Sequence, residues 1–121
     1  MATVRDMQRL QGVHPTLVVA VLKLLTQYPT FVTAGLRTTE QQQALFAQVP
    51  KVTEKDGVIH KSNHQAHADG YGHAVDLAWL GGDPFALTHD WASLGASGKA
   101  LGLIWGGDWK TLVDRPHFEL P

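Results

Sequence analysis

The chain has 121 residues, of which 44% are hydrophobic, and its ten basic and eleven acidic residues give a formal charge of −1. This length and composition predict one domain over residues 1–121, and the balanced charge and lack of a long apolar run argue against nucleic-acid binding and membrane insertion. Because cysteine is absent, only histidine and carboxylate side chains remain as ligands for a metal ion.

The N-terminal part of the chain predicts a core helix. His14 and Pro15 open it, because proline is favoured at the first helical position, and leucine and valine recur at helical spacing until Pro29. Apolar residues cover more than one face, so we expect this helix to pack on two sides. A short segment from Arg5 to Leu10 is expected to lie across it.

A strand and a second helix are predicted to follow. Phe31 to Arg37 has the composition of a strand and places Arg37 at its end. Thr39 and Gln42 have the spacing of a capping box, in which each side chain bonds the other residue's backbone N–H. This pair predicts a helix that continues to about Gln48.

The segment between residues 50 and 70 is polar and shows no hydrophobic period, which predicts a long surface loop. Loops of this length in compact domains are usually functional or disordered. His73 to Trp79 then predicts an apolar strand with Asp76 in its middle, and Gly81 to Pro84 predicts a turn.

The C-terminal third predicts one more helix and a terminal strand. One face of the helix is apolar and consists of Leu87, Trp91, Leu94 and Leu101. Gly95, Gly98 and Gly102 weaken its second half, so we expect it to end early or break. Leu103 to Trp109 and a loop lead to a strand containing His117. Because strands and helices do not alternate regularly, we predict an α+β fold with a small, mainly antiparallel sheet packed with helices.

Two predicted strands carry the residues that indicate chemistry. Asp76 and His117 each lie in an apolar strand, where an unpaired ionised carboxylate is costly and a metal ion is an efficient partner. His64 and His67, both in the long loop, are each able to supply a third ligand, whereas alternation turns His73 away from Asp76. Two imidazoles and one carboxylate leave a fourth position open for water, as in catalytic zinc sites. We therefore predict one zinc ion per chain, held on the sheet.

Two further residues are candidates for catalytic roles beside such a site. Asp114, three residues before His117, is a candidate general base, and its alternative role is a surface ion pair with Arg115 or Lys110. Arg37 is a candidate for stabilising the oxyanion that develops on an attacked carbonyl group.

Several ordered motifs run through the chain: Ala34 to Gln42, Ser62-x-His64, Gly72-x-Ala74-x-Asp76, Trp105-Gly106-Gly107-Asp108-Trp109 and Asp114-x-Pro116-His117-Phe118-Glu119. Together they resemble the zinc peptidases of the D-alanyl-D-alanine carboxypeptidase and L-alanyl-D-glutamate endopeptidase family, most closely its phage endolysin branch. The first motif has Leu36 where that family usually has an aromatic residue. The resemblance runs from about Leu10 to Leu120.

The resemblance implies a role for each main candidate. The zinc ligands are His64, Asp76 and His117, the catalytic acid and base is Asp114, and Arg37 contacts the substrate or the transition-state oxygen. We also expect five residues near the motifs to contact the substrate, namely Arg37, Ser62, Trp105, Asp108 and Trp109.

One departure from the family pattern concerns the first zinc ligand. The family has two residues between its first histidine and the glycine of Gly-x-Ala-x-Asp, whereas Gln65 to Tyr71 intervene in this chain. This difference indicates an insertion. The resemblance favours His64, which has the Ser-x-His context, and leaves His67 and, less plausibly, Asp69 as alternative ligands.

The function implied by the resemblance is hydrolysis of the L-alanyl-D-glutamate bond of peptidoglycan stem peptides during phage-induced host lysis. The alternatives are a D-alanyl-D-alanine carboxypeptidase or dipeptidase and a cell-wall-binding module without catalytic activity. The N-terminal residues lack the features of a secretion signal, so we expect the protein to stay in the host cytoplasm until a holin-type pore admits it to the periplasm and cell wall. We also expect a monomer.

Overall fold

The computed structural model of the chain describes residues 2–48, 53, 55–58 and 61–121. Within these ranges four α-helices and four β-strands form: α1 (Val4–Arg9), α2 (Pro15–Gln27), β1 (Thr30–Ala34), α3 (Thr39–Phe46), β2 (Ala74–Trp79), α4 (Trp91–Ala100), β3 (Ile104–Trp105) and β4 (His117–Glu119). The strands make one sheet in the order β1-β2-β4-β3, and every neighbouring pair is antiparallel. The predicted α+β class and antiparallel sheet are confirmed.

Helix α2 is the central core helix, as predicted. His14 caps it by accepting the backbone N–H of Thr16 at Nδ1, over 3.1 Å, and Pro15 occupies the first turn. Its inward residues Leu17 and Leu24 are fully buried. The helix contacts α4, β1 and β2, so it is packed on more than one side.

Helix α1 packs against β1, and the arrangement of this segment across α2 stays a prediction. The buried carboxylate of Asp6 accepts the backbone N–H of Val32 over 2.9 Å. The guanidinium of Arg9 donates to the carbonyl oxygen of the same residue over 2.7 Å. These two bonds satisfy the backbone N–H and carbonyl groups of Val32 at the outer edge of the sheet. Sequence periodicity alone does not indicate such bonds.

Strand β1 ends at Ala34, so Arg37 lies beyond the strand and not at its end. The helix that follows is capped by Thr38 with Gln41, one residue earlier than the predicted capping box. Two pairs in this segment have the required spacing, and burial decides between them. Gln42 is fully buried and bonds Arg37, so its side chain is not available as a cap.

Helix α4 continues through Gly95 and Gly98 to Ala100, so the predicted early break does not occur. Leu87 precedes the helix and is 74% exposed, which places it outside the predicted apolar face. A Cβ atom at Gly95 would collide with the Trp105 ring, and one at Gly98 would collide with Phe118. The glycines are therefore required for close packing of the helix on the sheet.

The two faces of the sheet serve different purposes. Val75, Leu77 and Phe118 are fully buried in the core that the helices cover. Asp76 and His117 alternate with them along the strands and are paired directly across β2 and β4, so they lie on the opposite face. No helix in the described part of the chain has the length and apolar character needed to cross a membrane.

Candidate metal centre

Three residues that the sequence assigned to zinc come together on the open face of the sheet. Asp76 comes from β2, His117 from β4 and His64 from the turn that precedes β2. One ligand atom from each lies within 4.8 Å of the others. Oδ1 of Asp76 lies 3.3 Å from Nε2 of His64 and 3.3 Å from Nδ1 of His117. Both imidazoles are buried.

The chemistry of this cluster fits a divalent cation. Oδ1 of Asp76 is buried and, within the residues the structure describes, has no hydrogen-bond partner, because neither neighbouring imidazole has the required geometry. Burial would raise the pKa of Asp76, but the imidazoles of His117 and His64 outweigh it and hold that pKa below its usual range. An ionised oxygen without a hydrogen bond, facing two ring nitrogens, is a suitable metal ligand.

The far side of each imidazole is anchored. Nδ1 of His64 donates to the carbonyl oxygen of Gly35 over 2.9 Å, and Nε2 of His117 donates to Oε1 of Glu119 over 2.7 Å. The other oxygen of Glu119 accepts from the side chain of Asn63 over 2.7 Å. Such outer bonds fix the tautomer and direct the second nitrogen toward the metal position.

Glu119 was quoted in a sequence motif without a role. The available signal was its place two residues after His117, since this spacing puts both side chains on one face of a strand. Burial lowers the pKa of His117, but Asp76 and Glu119 raise it to about 9. A metal ion must therefore displace a proton from His117 when it binds.

Arg37 lies beside the cluster on the segment after β1. Its Nη2 is 3.8 Å from Oδ2 of Asp76, and its Nη1 donates to Oε1 of Gln42 over 2.7 Å. Burial lowers the pKa of Arg37, although the carboxylates of Asp76 and Asp114 oppose that shift. Its guanidinium remains charged at neutral pH and lines the same cavity as the three clustered residues.

Asp114 is near the cluster without belonging to it. Its Oδ2 lies 3.9 Å from Nδ1 of His117. Within the described residues it forms no ion pair with Lys110 or Arg115, which was its alternative role. Burial and the neighbouring Asp76 carboxylate raise the pKa of Asp114. A raised pKa makes a carboxylate a stronger base at neutral pH.

The alternative first ligands lie apart from the cluster. The exposed ring of His67 stacks on His73 with 3.7 Å between ring centroids, and Asp69 accepts from His73 over 2.8 Å. Backbone bonds from His67 to Tyr71 and from Gly70 to His67 close the inserted segment into a turn of its own. The insertion therefore adds a surface turn, and the cluster retains His64.

A cleft of about 670 Å³ opens over the cluster, and three of the expected substrate contacts, Arg37, Ser62 and Trp109, line it. The ring of Trp109 lies 4.8 Å from that of His117. Trp105 and Asp108 do not line the cleft. The indole of Trp105 fills the space left by Gly95 and donates to a backbone carbonyl, while Asp108 pairs with Lys99 over 2.9 Å.

The cleft also has basic lining residues that sequence reasoning missed, namely Lys55, Lys61 and Lys110. Isolated lysines in loops give no sequence signal of their own, because surface lysine is common. The three lysines line one cavity because the two loops that carry them lie beside the metal cluster.

Comparison with known proteins identifies the family of the chain. The profile of a family described as D-alanyl-D-alanine carboxypeptidase matches residues 57–120. The peptidoglycan L-alanyl-D-glutamate endopeptidase CwlK of Bacillus subtilis (strain 168) is 29% identical over 100 residues, which cover 74% of this chain and 59% of CwlK. The aligned region thus spans less than two thirds of that relative.

A solved structure is similar over almost the whole chain. The crystal structure of the Serratia marcescens L-Ala D-Glu endopeptidase ChiX superposes with a TM-score of 0.72 and 31% sequence identity. The match covers 98% of this chain and 88% of ChiX. With the family profile, this similarity shows that the chain belongs to the D-alanyl-D-alanine carboxypeptidase family.

Proposed function

We propose that the protein is a zinc-dependent peptidase that hydrolyses the L-alanyl-D-glutamate bond of peptidoglycan stem peptides. The observation that carries the proposal is the cluster of His64, Asp76 and His117, with Asp114 beside it at the base of an open cleft. The two similar proteins described as L-alanyl-D-glutamate endopeptidases support this choice of bond.

Zinc suits the ligand set, which contains two imidazoles and one carboxylate in a chain without cysteine. In such a site, bound zinc polarises a carbonyl oxygen and lowers the pKa of a coordinated water to about 7. The protein contributes the rigid positions of the ligands, which the outer bonds to Gly35 and Glu119 maintain.

Asp114 and Arg37 have the two remaining catalytic roles, proton transfer and stabilisation of negative charge. Oδ2 of Asp114 accepts a proton from the attacking water and passes it to the leaving amine of D-glutamate. The guanidinium of Arg37 stabilises negative charge that develops on the attacked carbonyl oxygen of L-alanine. Gln42 holds Arg37 in place by accepting from its Nη1, so the cation does not need to reorganise during the reaction.

The basic lining of the cleft suits the acidic part of a stem peptide. Lys55, Lys61 and Lys110 are exposed at its wall, and D-glutamate carries a free carboxylate next to the leaving amine. Charge complementarity of this kind orients a substrate more than it adds affinity. The lysines thus favour a substrate that presents carboxylates on the amine side of the scissile bond.

A D-alanyl-D-alanine carboxypeptidase would use the same ligands and base, and the name of the matching family keeps it as the second candidate. The bond is identified by mass spectrometry of fragments released from purified peptidoglycan. New amino-terminal D-glutamate supports the proposal, whereas release of D-alanine supports the second candidate. Wall binding with no fragment from the intact protein would favour a binding module, and Asp114→Asn serves as the inactive control.

We further propose that the peptidase serves a phage in host lysis, reaching the wall from the host cytoplasm through a holin-type pore. The motifs that resemble phage endolysins support this role. Co-expression with a holin in Escherichia coli should cause a fall in culture turbidity that expression without the holin does not. Equal turbidity in the two cultures would contradict the role without affecting the peptidase assignment.

A further inference from the structure

Part of the wall of the metal-site cleft is bonded to a buried side chain of α3. This part, called the wall segment here, consists of Thr53 and residues 55–57, and Thr53 and Lys55 line the cleft. Gln42 is fully buried. Its Nε2 donates to Oγ1 of Thr53 over 3.2 Å and to the carbonyl oxygen of Lys55 over 2.7 Å. The amide of Gln42 therefore holds two residues of the cleft wall.

The same amide also holds Arg37. Its Oε1 accepts from Nη1 of Arg37 over 2.7 Å. A guanidinium group only donates and a backbone carbonyl oxygen only accepts, so the amide has one usable orientation between Arg37 and Lys55. One buried side chain thus links the cation of the cleft to the wall segment.

Packing and a second glutamine hold the wall segment against α3. A Cβ atom at Gly57 would lie 3.2 Å from Cβ of Gln42, and Gly57 has a φ of +91°, which other residues rarely adopt. Nε2 of the buried Gln65 donates to the carbonyl oxygen of Gly57 over 3.0 Å. Oγ1 of Thr53 also accepts the backbone N–H of Lys55 over 3.1 Å. The wall segment is therefore fixed at several points and gives Gln42 a firm support.

A firm support matters for a cation that stabilises a transition state. Such a group is most effective when it is already in place as charge develops, because reorganisation during the reaction costs free energy. A displacement of about 1 Å in a positioned group can lower the rate by about 10²-fold. Because the amide of Gln42 is buried, breaking any of its three bonds would leave a polar group unpaired at a cost in free energy.

We propose that Gln42 is a positioning residue that fixes Arg37 and the wall segment relative to each other. The inference rests on the proposed function for the role of Arg37, although it does not depend on which peptide bond is cut. Loss of the link should lower kcat through Arg37 and weaken substrate binding through the wall segment.

NMR of the Arg37 guanidinium tests the link without any cleavage. A hydrogen bond at Nη1 slows rotation of the group, so we expect separate Nη signals in the parent protein and in the control Gln43→Met, at an exposed position of α3. In Gln42→Met, which is similar in size and lacks the amide, the signals should merge. If that variant does not fold, Gln42→Asn, whose shorter side chain cannot reach both partners, should give the same result. Signals that stay separate in the folded variant overturn the inference.

A double-mutant cycle on the peptide that the enzyme cuts is the second test. Gln42→Met should lower kcat about 10- to 100-fold in the parent protein, but less than about twofold in the Arg37→Ala background, where the cation it positions is missing. A purely structural role would give the same loss in both backgrounds, and that result would overturn the inference.

Thr53→Val tests the bond to the wall segment, because it leaves the bond between Gln42 and Arg37 in place. It should raise KM about two- to tenfold with little change in kcat, and Thr53→Ser, which keeps the hydroxyl group, should raise KM less. Equal KM values for Thr53→Val and the parent would overturn the role of the wall segment. If the parent cuts no peptide, the proposed function fails, whereas the NMR experiment still supports or overturns the link.

Discussion

Asp76 and His117 are paired residues of neighbouring antiparallel strands, and Oδ1 of the first lies 3.3 Å from Nδ1 of the second. The backbone hydrogen bonds of the sheet therefore set the separation of two candidate metal ligands. The third ligand, His64, is added by a turn whose backbone and ring are both bonded to the segment after β1. Because backbone structure positions all three candidate ligands, we expect the site to be organised before a metal ion binds.

The first prediction concerns metal content. The purified protein should contain one zinc ion per chain, and His117→Ala should lose it, because two ligands seldom retain zinc against dilution. Elemental analysis of both proteins measures this, with His89→Ala, a half-buried histidine outside the cluster, as control. Chelation should also abolish lysis and zinc should restore it. Full metal content in His117→Ala would remove that residue from the ligand set.

Asp114→Asn should retain zinc but lose about 10²- to 10⁴-fold in kcat, because the amide cannot accept a proton. Asp108→Asn is the matched control, since Asp108 pairs with Lys99 outside the cleft. Steady-state kinetics and elemental analysis are needed together. Loss of zinc from Asp114→Asn would make that residue a ligand, and unchanged kcat would deny it a role in proton transfer.

His64→Ala should lower zinc affinity far more than His67→Ala. Nε2 of His64 faces Asp76 at 3.3 Å, whereas His67 stacks on His73 at the surface. Competition with a chromogenic chelator gives the affinity of each variant under the same conditions. The reverse ranking would assign the ligand to the inserted segment.

Glu119→Gln should weaken zinc binding by about 10- to 100-fold although Glu119 is not a ligand. The carboxylate accepts from Nε2 of His117 over 2.7 Å and so directs Nδ1 toward the metal position. Glu40→Gln, at an exposed position of α3, is the control for loss of a negative charge. Equal zinc affinity in the two variants would show that the negative charge of Glu119 does not contribute to metal binding through His117.

Gly98→Ala should destabilise the fold by about 1–3 kcal/mol, because the added methyl group would collide with the fully buried ring of Phe118. Urea unfolding measures the change. Ala96→Ser, at an exposed position of the same helix, should change the free energy of unfolding by less than about 0.7 kcal/mol. A Gly98→Ala protein as stable as the parent would mean that α4 can move away from the sheet without cost.

Local sequence patterns predicted much of the fold. The limits of α2 follow from Pro15 and Pro29, and β2 follows from the apolar residues on both sides of Asp76, because both signals act over a few neighbouring residues. The errors came from contacts distant in sequence. Gln42 is buried against Arg37 and cannot cap α3, and Gly98 of α4 packs against Phe118 and does not break the helix.

The sequence by itself determined the available metal ligands and their order, since the chain has no cysteine and places Asp76 and His117 in apolar strands. It left His64 and His67 as competing ligands and assigned Trp105 and Asp108 to the substrate. Only the tertiary structure decided that His64 lies with Asp76 and His117 and that Trp105 and Asp108 lie outside the cleft. Pairing of β2 with β4 and the bond from His64 to Gly35 join segments far apart in the chain, and no local periodicity encodes such distances.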